Sequence, residues 1–166
     1  MEYIIKNYNE EKLFDNFSNY ILGIDIGGTN TNLAIAGIKD KKPNLLFSHN
    51  YKTNKLDSII PAIENILSYS EKNFKIIIDF TCIGAAGVVS SSNDFVQLTN
   101  AEWNINSNEI INKTSLNPAS CKVLSRFIVS SVPFVAIEKA ISLSLILWAI
   151  LKKSFNISGS PPEIAI

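Results

Sequence analysis

The amino-terminal half of the chain alternates between apolar runs and short polar turns, a pattern typical of β-strands. Residues 20–26 and 33–38 are rich in β-branched and apolar residues, and two adjacent glycines lie between these runs. A polar turn at 39–43 then leads into residues 45–51. The pattern predicts three strands that meander antiparallel.

The segments that follow predict a change from strands to a helix and back. Residues 56–70 carry large apolar side chains at helical spacing, which predicts an amphipathic helix. Residues 74–89 predict one long apolar strand, and residues 107–113 predict a short helix. Strands followed by a helix that crosses back indicate an α/β domain with a mixed β-sheet.

Both ends of the chain differ from this pattern. Residues 1–19 predict a polar, partly helical extension with Leu13, Phe14 and Phe17 on one face. Residues 140–151 are strongly apolar but shorter than the ~20 residues that a membrane-spanning helix needs. We expect a buried helix there, which becomes an aggregation hazard if its packing partners are absent.

Composition and charge exclude several classes of function. The 166 residues contain 15 basic and 15 acidic side chains, a balance that argues against nucleic acid as a partner. Cys82 and Cys121 fit no zinc or redox spacing and predict buried thiols in a reducing compartment. The amino terminus has no hydrophobic signal core. We therefore expect a cytoplasmic protein without a membrane partner. His49 has no acidic or serine partner that the sequence identifies, so we expect it to be a polar residue at the surface.

The turn between the first two strands has the chemistry of a phosphate site. Gly27 and Gly28 can adopt positive φ and let a backbone approach a ligand closely. Backbone N–H groups in such a turn form an anion site, and the polar side chains of Thr29 and Asn30 follow at once. Asp25 precedes the turn and suits magnesium or its water ligands.

A simple hairpin is the alternative interpretation, because paired glycines are common in tight turns. A hairpin alone explains neither a carboxylate inside an apolar strand nor the Thr-Asn-Thr run after the glycines. The motif also lacks the lysine of the GxxxxGK[ST] loop and the spacing of GxGxxG. The residues favour a phosphate-binding turn that differs from both of these motifs.

Three motifs, in order along the chain, resemble those of one enzyme family. Residues 25–31 (DIGGTNT) resemble the first phosphate motif of actin-like sugar kinases. Residues 82–88 (CIGAAGV) resemble the strand and loop before the sugar pocket, and residues 96–103 (VQLTNAEW) resemble the LTNxxW signature. Over residues 20–124 the chain thus resembles bacterial-type glucokinases.

The resemblance implies an actin-like ATPase (ribonuclease H-like) small domain and a known reaction. That family transfers the γ-phosphate of ATP to the 6-hydroxyl of glucose, with Mg²⁺ bound beside the nucleotide. By resemblance, Gly27, Gly28 and Thr29, with Asn30, would contact phosphate. Asp25 would face the magnesium shell.

The sugar side of the site rests on two residues of the LTNxxW motif. By resemblance, Asn100 and Trp103 would shape the small domain's wall of the sugar pocket. Two structural roles remain open alternatives. Trp103 would then be a core aromatic, and Asn100 would hold its loop through backbone hydrogen bonds.

The chain departs from the family where the catalytic base is expected. In the family an apolar strand ends in Ile-Asn-Asp-Phe, and its Asp accepts the proton of the sugar hydroxyl. Aligned on Phe127, this chain has Ser125 at the Asn and Arg126 at the Asp. An arginine stays protonated and cannot accept that proton. Because a positioned base contributes ~10²–10⁴ in rate, we expect impaired catalysis and assign no catalytic residue.

We expect the chain to correspond to about half of a sugar kinase of this family. Three regions are predicted: the extension 1–19, a glucokinase-like small domain 20–124, and a divergent apolar segment 125–166 in which the large lobe is missing or incomplete. A reading-frame error, a degenerate paralogue and a fragment all fit this pattern. The alternative function is a non-catalytic sugar-kinase-like module that needs a partner chain, with 141–151 as its contact. A homo-oligomer also remains open.

Overall fold

The computed structural model describes residues 2–8, 17–40, 42–85, 87–90, 94–99, 101–116 and 121–123. Nine strands and two α-helices lie within these ranges, with a short 3-10 helix at Thr53–Lys55. In chain order they are β1 (Ile4–Asn7), β2 (Asn19–Ile26), β3 (Asn30–Lys39), β4 (Lys42–Lys52), α1 (Ile60–Phe74), β5 (Phe80–Ala85), β6 (Gly87–Val89), β7 (Phe95–Leu98), β8 (Ile105–Asn106), α2 (Ser107–Lys113) and β9 (Cys121–Val123).

A mixed sheet organises the described part of the chain. Its strand order is β1-β4-β3-β2-β5-β9, with antiparallel pairing from β1 to β2 and parallel pairing of β2, β5 and β9. The predicted meander, the mixed sheet and the short helix at 107–113 are confirmed. A separate antiparallel sheet contains β6, β7 and β8.

The main core lies between α1 and one face of the large sheet. Ala62, Ile63 and Ile66 of α1 are fully buried there, and every second residue of β2 faces them, Leu22 and Ile24 among others. This alternation follows from the two-residue period of a strand. Cys82 is buried, as predicted, whereas the side chain of Cys121 lies outside the described atoms.

The predicted strand at 74–89 is wrong as a single element. Helix α1 runs to Phe74 and ends at Lys75, whose left-handed φ of 57° caps it, while the Lys75 N–H donates to Glu71 O at 3.1 Å. The next strand begins only at Phe80, and Ile76 is buried in the connection. A short run of apolar residues shows no periodicity, so the sequence does not distinguish a buried connection from a strand.

The polar extension 1–19 contains a strand that was not predicted, at residues 4–7. These residues form β1, which pairs antiparallel with β4 from Ile4 opposite Asn50 to Asn7 opposite Phe47. The outer edge of β4 offers unpaired backbone groups, and pairing there overrides a weak local pattern. Phe17 packs against the main core, and the rest of the proposed helical face lies outside the described residues.

The apolar segment at 140–151 also lies outside the described residues. No helix in the described ranges is long and apolar enough to cross a membrane.

His49 is a buried residue, so its prediction as a surface polar residue is wrong. It is 0% exposed and lies opposite Leu33 on the face of the sheet that α1 covers. The rings of four aromatic residues surround it at centroid distances of 4.7–6.3 Å, namely Tyr3, Phe47, Tyr51 and Tyr69. Its Nδ1 lies 3.4 Å from the Tyr51 hydroxyl, and Nε2 has no hydrogen-bond partner among the described residues.

Burial lowers the pKa of His49 from 6.5 to about 4, because the apolar surroundings disfavour the charged imidazolium. Between these two values the unfolded chain binds more protons than the folded chain. Stability is therefore retained above pH 6.5 and lost as the pH falls towards 4.

We expect the His49→Phe variant to remove this acid sensitivity, because phenylalanine fits an aromatic cluster and does not titrate. In wild type, the free energy of unfolding should fall by up to ~1.4 kcal/mol per pH unit below 6.5 through this group. Urea unfolding at pH 4.5 to 7.5 measures both slopes. Equal slopes in the two proteins would contradict the buried, neutral His49.

Candidate phosphate-binding site

The predicted glycine turn is the connection between β2 and β3. The Gly27 N–H donates to the carbonyl oxygen of Asn30 at 3.0 Å and closes the turn. Gly28 and Thr29 are exposed at its tip. A Cβ at Gly27 would lie 3.1 Å from that Asn30 oxygen, and the φ of Gly27 lies outside the left-handed range. Glycine at 27 therefore serves close approach rather than a left-handed backbone.

Thr53 holds the turn from the core side. Its hydroxyl donates to the Gly27 carbonyl at 2.7 Å, and its backbone N–H donates to the Thr29 carbonyl at 3.1 Å. The Thr31 hydroxyl lies 3.0 Å from the Thr53 hydroxyl, and both threonines are buried. Because the only hydroxyl hydrogen of Thr53 is committed to Gly27, Thr31 is the donor in this contact. We call these three hydrogen bonds the Thr53 clamp.

The clamp fixes the direction of the backbone N–H groups in the turn. A trans peptide is planar, so its N–H points away from its own carbonyl. The carbonyls of Gly27 and Thr29 point to Thr53. The N–H groups of Gly28 and Asn30 are therefore directed away from it. Backbone N–H groups gathered at a tight turn are the geometry that binds an anion.

A polar patch lies on the sheet face opposite α1, at the same end of the strands as the turn. Register places Asp25 opposite Asn32, Asn32 opposite Asn50, and Asn30 opposite Lys52. Paired residues share a face, and so do residues two apart. Five side chains therefore lie on one face: one carboxylate, three amides and one ammonium.

Hydrogen bonds order the amides of this polar patch. The Asn50 side-chain amide donates to the Asn32 side-chain oxygen. The Lys52 ammonium donates to the Asn30 side-chain oxygen at 3.0 Å. Asp25, on β2, is half-buried and takes part in an interaction of its own. These contacts reduce the number of side-chain conformations that a ligand would have to fix on binding.

The predicted sugar-pocket residue Trp103 lies near Thr53. It is 8% exposed, belongs to the main core, and has an indole N–H with no partner among the described residues. It also lines a cavity of about 520 Å³, together with Thr53, Asn54, Leu56, Asp57, Ala101 and Glu102. Thr53 thus connects this cavity with the glycine turn. Asn100 and Arg126 lie outside the described residues.

Comparison with solved structures identifies the fold. A glucokinase from Balamuthia mandrillaris in complex with glucose is 22% identical, with a TM-score of 0.54 over 64% of this chain and 29% of its own. A glucokinase from an Antarctic psychrotroph is 26% identical, with a TM-score of 0.52 over 64% of this chain and 32% of its own. The Leishmania braziliensis glucokinase is 12% identical, with a TM-score of 0.50.

The fold is thus that of the small domain of actin-like ATPases, as predicted, and the described part is a partial domain of it. A family model for glucokinase matches residues 22–142, well over half of the chain. This chain belongs to the glucokinase family. The match continues past Leu124, beyond the region 20–124 whose motifs resemble the family. The chain spans 29% and 32% of the first two solved glucokinases, and comparison with curated proteins found no match.

Sequence reasoning found the turn but missed Thr53, Lys52, Asn32 and Asn50. All four lie on strands or directly after one, and only the β3–β4 register brings them to the turn. A usable signal was present in the residues just before Leu33. In a hairpin centred on the two glycines, residues two apart on a strand share a face, so Asn30 and Asn32 are expected on the same face as Asp25.

We expect Thr53→Val to loosen the turn, because valine keeps the shape but loses the hydroxyl that bonds Gly27 and Thr31. Buried groups left without partners should lower the free energy of unfolding by about 1–3 kcal/mol. Thr53→Ser keeps the hydroxyl and is the matched control. Urea unfolding of the three proteins measures the difference. Equal stability of wild type and the valine variant would contradict the clamp.

Proposed function

We propose that this chain is part of an ATP-dependent hexose kinase that phosphorylates the 6-hydroxyl of glucose. Family membership supports a sugar kinase in general terms. The observation that carries the specific proposal is the clamped turn, whose Gly28 and Asn30 N–H groups point away from Thr53, at the end of the strand that carries Asp25. Backbone N–H groups that can bind an anion, together with an acidic side chain, suit a nucleotide phosphate that carries magnesium.

The residues present fit ATP and Mg²⁺. The N–H groups of Gly28 and Asn30 and the hydroxyl of Thr29 would bind phosphate oxygens, with Gly27 allowing close approach. Asp25 would orient water in the magnesium shell. Bound Mg²⁺ would neutralise charge that develops on the transferred phosphoryl group. The protein's own contribution is to position the phosphates, because phosphoryl transfer needs little covalent chemistry from the protein.

The sugar would lie in the cavity that Trp103 and Thr53 both line. Trp103 offers an aromatic wall to a cavity whose volume of about 520 Å³ accommodates a hexose. The carboxylates of Asp57 and Glu102, which line the same cavity, would accept hydrogen bonds from sugar hydroxyls. Asn100 remains a proposed sugar-pocket residue from the motif alone. The glucokinase of Balamuthia mandrillaris was solved in complex with glucose.

Arg126 would limit the rate of phosphoryl transfer to the sugar hydroxyl. It stands where the family places its base, and a guanidinium stays protonated at any working pH. We therefore propose slow phosphoryl transfer for the sequence as written. Cytoplasmic location and a role in glycolysis remain predictions of the same proposal.

We expect Arg126→Asp to raise glucose 6-phosphate formation by ~10²-fold or more, because aspartate restores a group that can accept the hydroxyl proton. Arg126→Asn is the matched control, since it removes the cation without supplying a base. A coupled assay with Mg·ATP and glucose compares both with the wild type.

Substantial turnover by the wild type would contradict the role given to Arg126. Equal, negligible rates in all three proteins, with Mg·ATP still bound, would favour the alternative of a non-catalytic module that needs a partner chain.

A further inference from the structure

The glycine turn carries too little positive charge to bind a nucleoside triphosphate by itself. Residues 25–32 contain Asp25 and no lysine or arginine. Magnesium neutralises only part of a triphosphate, and the turn's N–H groups offer partial charges. A cation is expected from elsewhere in the fold if the turn binds phosphate as proposed above, and the present inference rests on that proposal.

Lys52 is the basic residue that the fold brings to this turn. It is the last residue of β4 and lies opposite Asn30, the first residue of β3. Its ammonium donates to the Asn30 side-chain oxygen at 3.0 Å. The following residue, Thr53, is buried and bonded to Gly27 and Thr29, so the backbone beneath Lys52 is fixed relative to the turn.

The ammonium of Lys52 has capacity left for a ligand. It carries three donors, and the contact with Asn30 uses one of them. The side chain is exposed, and it forms no ion pair with any carboxylate of the described ranges. An exposed lysine–amide contact alone contributes little to stability. Its contact with Asn30, the residue at the end of the glycine turn, is what gives Lys52 a use.

We propose that Lys52 supplies the positive charge of the phosphate site and binds the terminal phosphates of the nucleotide, with Asn30 orienting its ammonium. In P-loops a lysine within the loop itself performs this task. Here the lysine comes from the neighbouring strand, two positions beyond Asn50 along the same face. The polar patch thereby places a cation near the turn, with Asp25 of β2 on the same face.

Binding of inorganic tripolyphosphate with Mg²⁺ tests this proposal without an adenosine site. Isothermal titration calorimetry of the full chain should give a weaker affinity for Lys52→Met by about 10-fold or more, since charge-assisted hydrogen bonds are among the strong ones. Lys52→Arg should retain most of the affinity. Lys55→Met is the matched control, because Lys55 is also exposed and lies three residues away. Thermal unfolding checks that each variant folds.

The outcomes separate this proposal from the function on which it depends. Wild-type binding that Lys52→Met weakens and Lys55→Met does not would support it. Wild-type binding that neither change affects would overturn the role of Lys52 and leave the phosphate turn standing. Equal losses in both variants would show a general charge effect and also overturn it. No tripolyphosphate binding by the wild type would overturn the phosphate site and the present inference together.

Discussion

The register of β2, β3 and β4 is the constraint on which the rest of the structure depends. Side chains alternate between the two faces of a sheet, so a slip by one residue would exchange the face that packs on α1 with the opposite face. In the observed register, Ile24 and Leu33 face α1, while Asp25 and Asn32 face away from it. One pairing therefore buries the core and assembles the polar patch at the same time.

Burial then supplies the force that holds the turn. Thr53 directly follows β4, and the core side of the sheet covers it almost completely. Its hydrogen bonds to Gly27 and Thr31 form where water is excluded and an unpaired group is costly. The shape of an exposed turn is thus determined by a buried contact with a residue more than twenty positions away.

Sequence patterns predicted the parts that depend on local chemistry. Alternation located the three antiparallel strands, and the Gly-Gly step located the turn between two of them. Helix α1 was predicted several residues too early, because Ile59 and the preceding residues continue the apolar spacing while the helix begins at Ile60, beside Pro61. Proline is favoured in the first turn of a helix, and that signal is more specific than periodicity.

The parts that sequence did not predict depend on tertiary pairing. His49 is a polar residue by type, yet it alternates in step with Phe47 and Tyr51 and is buried with them. Thr53 and Lys52 have no motif, because their roles arise only from the strand beside them. The family comparison confirms the resemblance to glucokinases that the three sequence motifs predicted.

The central claim is that the backbone of the glycine turn binds phosphate, and amide chemical shifts test it most directly. Titration of ¹⁵N-labelled protein with Mg·ATP should shift the amide signals of Gly28 and Asn30 most. The amides of Gly23 and Gly37, buried in the neighbouring strands, should move little. Saturable shifts confined to other parts of the chain, with Gly28 and Asn30 unchanged, would contradict the claim.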